Sequence, residues 1–161
     1  GLHSNGYSLV RKICFDHLKL DINARIPELA QTIGEELLTP TKIYAKALKH
    51  LIQRFPIKGL AHITGGGLSE NIIRIVPEAY KVIIKREAWP VPPVFSFLQR
   101  AGNIEDEEML KTFNNGIGMV VIAAEKSTEE IIRELNNLKE KAFIIGEIVE
   151  AERKESRIVF V

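Results

Sequence analysis

Cysteine is almost missing from this 161-residue chain. Cys14 stands alone, so no disulfide can form within the chain, and a reducing, cytoplasmic setting is the expectation. An excess of either charge is missing too. The 22 Lys and Arg meet 21 Asp and Glu for a net charge of +1, which removes the strongly basic footprint of a nucleic-acid binder. No apolar run approaches the ~18 residues that cross a bilayer, and no basic-then-apolar leader opens the sequence. Neither nucleic acid nor a membrane is therefore expected as a partner. There is no internal repeat, low-complexity tract or long linker. His3, His17, His50 and His62 are scattered without metal-ligand spacing, and no Ser–His–Asp signature is present.

What is present is the composition of an ordinary globule, 45% apolar and 27% charged. The length suits one domain with a core large enough to need neither disulfides nor metals. Gly1 is not an initiator methionine, so a processed chain or a piece of a longer protein is expected.

Helical and strand-like segments alternate. A helix is predicted over 6–19, with Leu9, Val10, Ile13, Cys14 and Leu18 at helical spacing and Ser4 or Asn5 as its cap. Residues 20–38, broken by Pro27 and Gly34, read as loop with one short helix. Thr39 as cap and Pro40 as first residue open a second helix. Its apolar stripe runs through Ile43, Tyr44, Ala47, Leu48, Leu51, Ile52 and Phe55, and Pro56 stops it. Residues 60–63 read as a strand, 69–76 as a short helix, and 80–85 as a strand with Val82 and Ile84 on one face. Three prolines hold 89–93 extended or turned, and helices follow over 93–100 and 106–113. The apolar run 117–124 is expected as a central strand buried on both faces. Ser127 and Glu130 are spaced for a capping box on a helix reaching Leu138. Residues 143–149 and 157–161 read as the strands of a hairpin, with the charge run 150–155 as its solvated loop. The fold class is α+β, a mixed β-sheet covered by helices.

Three segments are polar and glycine-bearing. His3-Ser4-Asn5-Gly6 offers an imidazole, a hydroxyl and an amide before a helix start, a favourable place for an anion or simply a capped helix. His3 is suited to donate to phosphate or move a proton near neutral pH. In His62-Ile63-Thr64-Gly65-Gly66-Gly67-Leu68, three glycines between strand and helix let backbone N–H groups approach a ligand. The segment is neither a P-loop nor a dinucleotide fingerprint. His62, inside a strand, reads as a satisfied core residue rather than a catalytic one. In the third segment, 112–119, Asn114 or Asn115 can end a helix with Gly116 at positive φ, or the loop can hold a ligand.

Together these motifs resemble the C-terminal half of the phosphoribosylformylglycinamidine cyclo-ligase family, also called aminoimidazole ribonucleotide synthetases. The similar blocks are 1–12 (GLHSNGYSLVRK), 38–46 (LTPTKIYAK), 61–77 (AHITGGGLSENIIRIVP), 89–103 and 112–119 (TFNNGIGM). They stand in the family's order and spacing, and the likeness runs from residue 1 to the end. Two departures are visible. Ile73 stands where the family pattern has proline, and Asn115 where it often has cysteine. Neither removes a polar group assigned to chemistry.

The resemblance implies ATP-dependent ring closure in de novo purine biosynthesis. ATP phosphorylates the formyl amide oxygen of formylglycinamidine ribonucleotide, which turns a poor leaving oxygen into a good one. The amidine nitrogen attacks the activated carbon, phosphate leaves, and the imidazole of aminoimidazole ribonucleotide closes. Positioning and charge stabilisation, with Mg²⁺ shielding the phosphates, would carry the catalysis. The resemblance also implies a cytoplasmic homodimer of two-domain subunits. This chain would be a single domain, residues 1–161, partnered by an N-terminal half that binds most of the ATP and Mg²⁺; without that half it is expected to be inactive. On that footing His3 is the catalytic proton donor. Ser4, Asn5 and Gly6 meet substrate or ATP phosphates, and Thr64, Gly65, Gly66 and Gly67 cradle a phosphate. Asn71 and Asn114 position substrate or loop, while Arg11 and Arg74 are cations near these loops in sequence. Relatives of the same architecture are the alternatives: formylglycinamidine ribonucleotide synthetase, thiamine-monophosphate kinase, selenophosphate synthetase and a hydrogenase-maturation protein. The Trp-Pro-x-Pro-Pro and Thr-Phe-Asn-x-Gly-x-Gly-Met blocks favour the cyclo-ligase. An alternative of another class is a non-catalytic binding or dimerisation module.

Overall fold

The computed structural model describes residues 1–152 and 156–161. Among them run helices α1 (Tyr7–Arg11), α2 (Ile33–Leu37), α3 (Ala45–Arg54), α4 (Gly67–Ile73), α5 (Pro93–Gly102), α6 (Asp106–Thr112) and α7 (Thr128–Asn137). The strands are β1 (Gly59–His62), β2 (Tyr80–Ile84), β3 (Met119–Ile122), β4 (Gly146–Glu150) and β5 (Ile158–Phe160). They form two compact units, each assembled from three stretches of chain. The first holds Gly1–Lys42, Ile63–Asn71 and Pro90–Gly118; the second holds Ile43–His62, Ile72–Trp89 and Met119–Val161.

The first unit is helical. On α5 the residues Val94, Phe95, Phe97 and Leu98 are buried, the spacing that puts them on one helical stripe. Pro93 opens that helix where its missing N–H has no partner to lose, and Asn103, at φ 45°, closes it. The stripe joins Leu2, Val10, Ile13, Ile33 and Phe113 in one core. Cys14 lies in that core without exposure, and burial pushes its thiol up to about 11.

Local contacts overturn two helix caps expected from the sequence. Neither Ser4 nor Asn5 caps α1: the N-cap is Gly6 at φ 72°, with no side-chain cap. The helix then widens into a π-helical stretch, Lys12–His17, where the Leu18 N–H donates to the Ile13 carbonyl at 2.9 Å. Thr39 does not cap the second long helix. Its N–H closes the end of α2 on the Glu36 carbonyl at 3.2 Å, so α3 starts only at Ala45. The capping box that forms is at Thr32 and Glu35. The Glu35 carboxylate accepts the Thr32 N–H at 2.8 Å and its hydroxyl at 2.9 Å, which holds its carboxyl below the ordinary range.

The second unit carries the strands, and the α+β class stands, but the strands are divided between two small sheets. β1 and β3 form an antiparallel pair with Gly59 opposite Ile122 and His62 opposite Met119. β3 is thus half of a two-stranded ladder with intermediate burial, not a central strand buried on both faces. In the other sheet β2 lies between β4, antiparallel, and β5, parallel. The expected hairpin of the last two strands is therefore not made. Both edges of β2 are open to pairing, and each late strand takes one. Of the charge run expected as the hairpin loop, residues 153–155 lie outside the described residues. The predicted face of β2 holds, with Val82 and Ile84 both 2% exposed.

The predicted capping box at Ser127 and Glu130 is absent. Ser127 ends a 3-10 turn with its N–H on the Ala124 carbonyl at 2.9 Å, and this backbone gives its side chain no cap bond. Helices α3 and α7 touch. His50 Nε2 lies 2.6 Å from Glu134 Oε2, and Arg54 Nε lies 3.6 Å from the same oxygen. The hydrogen bond from His50, then the charges of Arg54, His50 and Arg133, hold Glu134 below the ordinary carboxylate range against its partial desolvation.

Two outcomes are expected. Glu134 titrates lower folded than unfolded, so its stabilisation is present above the ordinary Glu range and is lost as pH falls through the lowered value. Between about pH 6 and about pH 3 the urea midpoint should fall further in the native sequence than in Glu134→Gln; equal falls would remove the pair from the stability account. Second, Cys14 should ignore an aromatic disulfide reagent at neutral pH and react once urea unfolds the chain.

Candidate functional site

The site grows from the end of one helix. α6 stops at Phe113, which leaves in an extended conformation at φ −117° and ψ 159°. The chain then turns through Asn115 at φ 48° and Gly116 at φ 98°. Carbonyls at a helix end lack intrahelical donors. Asn115, 6% exposed, supplies one: its Nδ2 donates to the Phe113 carbonyl at 3.2 Å, and at 2.9 Å it joins the Phe113 N–H on the Met109 carbonyl. Asn114, 1% exposed, accepts the Gly116 N–H at 2.7 Å. Its own Nδ2 reaches the Gly1 carbonyl at 3.1 Å.

That last bond ties in the first turn. The Asn5 N–H donates to the Leu2 carbonyl at 3.2 Å, across His3 at φ 52° and Ser4 at φ 60°. Two successive positive φ values are what a type I′ turn requires. A non-glycine residue held there costs about 1–3 kcal/mol and survives only where its surroundings over-determine it. Here Leu2 is buried below, Asn5 Nδ2 donates to the His3 carbonyl at 2.7 Å, and Ser4 Oγ lies 3.1 Å from Thr41 Oγ1. Just beyond, the Tyr7 hydroxyl donates to the Leu37 carbonyl; burial, with Glu36 adding to it, raises the pKa of that hydroxyl. The polar side chains expected as helix caps are thus used to shape the turn. Gly6 then presses on Phe113: a Cβ there would lie 2.3 Å from ring atom Cε1.

The glycine loop meets the same helix end. The Gly67 N–H donates to the Thr64 carbonyl at 3.0 Å, and Gly66 and Gly67 take φ 94° and 56°. A Cβ on Gly67 would fall 1.9 Å from the Leu110 carbonyl oxygen and 2.9 Å from that of Phe113. Asn71, 6% exposed, points its Nδ2 at the carbonyls of Thr64, Gly65 and Gly67, at 3.3, 3.2 and 2.8 Å. Two hydrogens spread over three oxygens make this amide a fastener of the loop. Gly65 differs from its neighbours. It is exposed, outside the positive-φ region, and no heavy atom lies within 4 Å of an added Cβ.

All ten residues singled out from the sequence lie in the first unit: His3, Ser4, Asn5, Gly6, Thr64, Gly65, Gly66, Gly67, Asn71 and Asn114. His62 and Arg74 belong to the second. His62 is exposed on β1 instead of sitting in a core, its ring edge-on to Tyr44 at 6.1 Å. Arg11 is exposed at the end of α1. Sequence reasoning passed over Phe113 and Thr41, and gave Asn115 no role beyond the turn. An apolar residue at a helix end reads as core. The available signal was that Gly6 and Gly67 both need a close neighbour. Among the described residues no three His, Cys, Asp or Glu gather to hold a metal ion, and no helix is long and apolar enough to cross a membrane.

Residues 1–159 match the family described as AIR synthase related protein, C-terminal domain. The chain belongs to that family. Proteins named phosphoribosylformylglycinamidine cyclo-ligase are similar over almost its whole length. The one from Syntrophotalea carbinolica is 52% identical over 162 residues, covering 100% of this chain and 46% of its own length. That from Geotalea uraniireducens is 53% identical over 152 residues, covering 94% and 44%. That from Syntrophus aciditrophicus is 49% identical over 160 residues, covering 99% and 46%. The chain thus spans less than half the length of the curated relatives it matches. The hydrogenase maturation protein HypE from E. coli shares the fold, with a TM-score of 0.59 at 19% identity over 80% of this chain and 41% of that one.

The three glycines of the loop should separate on substitution. Gly67→Ala should lower stability by about 2 kcal/mol or more, from positive φ and collision with backbone. Gly65→Ala should stay within about 0.5 kcal/mol of the native chain. Thermal unfolding of both variants checks this, and a destabilised Gly65→Ala would mean that the fold itself requires glycine there.

Proposed function

We propose that the first unit supplies one wall of an active site for the ATP-dependent ring closure of formylglycinamidine ribonucleotide to aminoimidazole ribonucleotide in purine biosynthesis. Relatives of about half identity named for this reaction support the reading. The observation that carries it is Gly65: an open backbone position beside Gly66 and Gly67, where a ligand can approach the main chain with no Cβ in its way.

In this reading Thr64, Gly65, Gly66 and Gly67 cradle a phosphate through backbone N–H groups. Ser4, Asn5 and Gly6 contact substrate or nucleotide phosphates. His3, held in its strained turn, moves the proton as the ring closes, and Asn71 and Asn114 hold the loops in shape. The chain acts as the C-terminal domain of a cytoplasmic, homodimeric two-domain enzyme. ATP and Mg²⁺ sit mainly on the N-terminal half. The described residues of this chain gather no carboxylate set for a metal, so no step through Mg²⁺ is assigned to them.

Calorimetric titration of formylglycinamidine ribonucleotide into the chain, without ATP, tests the phosphate cradle. Saturable binding is expected, weakened about tenfold in Gly65→Ala, the loss of roughly one charge-assisted hydrogen bond. The same nucleoside without its phosphate should not bind. A folded chain that takes up no nucleotide would overturn the cradle.

A further inference from the structure

We propose that Phe113 is a positioning residue that couples the His3 turn to the glycine loop, so that occupation of one sets the geometry of the other. The inference rests on the reading that both loops hold ligand, but its structural basis stands apart from the ligand's identity.

Three observations lead there. The Phe113 ring fills the space that a side chain at Gly6 would occupy, with Cε1 2.3 Å and Cδ1 2.9 Å from that Cβ position. Its carbonyl stands 2.9 Å from the Cβ position of Gly67, and Asn115 Nδ2 holds that carbonyl at 3.2 Å. One residue therefore touches the first loop with its side chain and the second with its backbone. The residue itself has little room. It is fully buried, its ring is tilted against Phe95 at a centroid distance of 5.9 Å, and its N–H is bonded to the Met109 carbonyl at 3.0 Å. Close-packed interiors transmit displacement because no free volume absorbs it. A shift of the glycine loop toward a ligand therefore moves the Phe113 carbonyl, and the ring moves with it against Gly6. The next residue extends the link, since Asn114 holds the Gly1 carbonyl ahead of His3. Energetically, this is a coupling between two binding elements, and such couplings are worth about 5–150-fold in affinity.

The test compares Phe113→Leu, and Phe113→Met as the volume-conserving variant if the first fails to fold, with Ile33→Ala. The last also creates a void in the same core, but on α2. In ligand-free protein, NMR signals of the His3 ring and of the Gly65, Gly66 and Gly67 amides are followed together. The Phe113 variants should shift both sets, while Ile33→Ala should leave both in place at similar loss of stability. Titration with formylglycinamidine ribonucleotide should then show about tenfold weaker binding in the Phe113 variants and less than about twofold change in Ile33→Ala. Signals that move in one loop only, or equally in Ile33→Ala, overturn the coupling. If the native chain binds no nucleotide, the proposed function fails, and the ligand-free comparison still decides the coupling.

Discussion

The close approach of Phe113 to Gly6 and Gly67 is the constraint on which the rest of the first unit's loops depend. A side chain at either glycine would occupy space already taken by ring or carbonyl, and the interior has no slack to receive it. The helix end, the N-terminal turn and the glycine loop are thereby fixed to one another through a single buried residue. Around it, Asn114 and Asn115 supply the polar fastening that an apolar core cannot. Their amides donate to the carbonyls of Gly1, Met109 and Phe113.

Rigidity there gives meaning to the strain in the His3–Ser4 turn. Two non-glycine residues at positive φ would relax if the turn were free. Leu2 anchors it from below, Asn114 holds the Gly1 carbonyl, and Asn5 and Thr41 hold the tip. A turn fastened at so many points holds the backbone of His3 and Ser4 in one geometry. The glycine loop follows the same logic by other means. Its shape comes from one amide, Asn71, that gathers three carbonyls and leaves the loop's face toward solvent open at Gly65.

Much of this was legible in the sequence, and the exceptions share a physical cause. Elements with a strong local signal lie where periodicity put them: α5 behind Pro93, and β2 with Val82 and Ile84 inward. The polar loops were visible because glycine and amide residues cluster there without forming a linker. What failed were assignments that turned on competition. Ser4, Asn5 and Thr39 all had the chemistry of caps, but each found another partner, and Ser127 was claimed by a 3-10 turn. The same spacing at Thr32 and Glu35 did form a box. Partners of strands were equally hidden, because adjacency in sequence made β4 and β5 look like a hairpin while both pair with β2. Gathering the three loops onto Phe113 is a tertiary fact, and Gly6 and Gly67 signal a close neighbour without saying which.

The interleaved path of the chain has a consequence for the order in which the protein is made. All three segments of the helical unit have been synthesised once Gly118 has been added, so domain-by-domain folding would complete this unit first. The strand-bearing unit must wait. β2 precedes both of its neighbours, Gly146–Glu150 and Ile158–Phe160, in the chain. Without them β2 has two unpaired edges and an apolar face, the feature that templates aggregation.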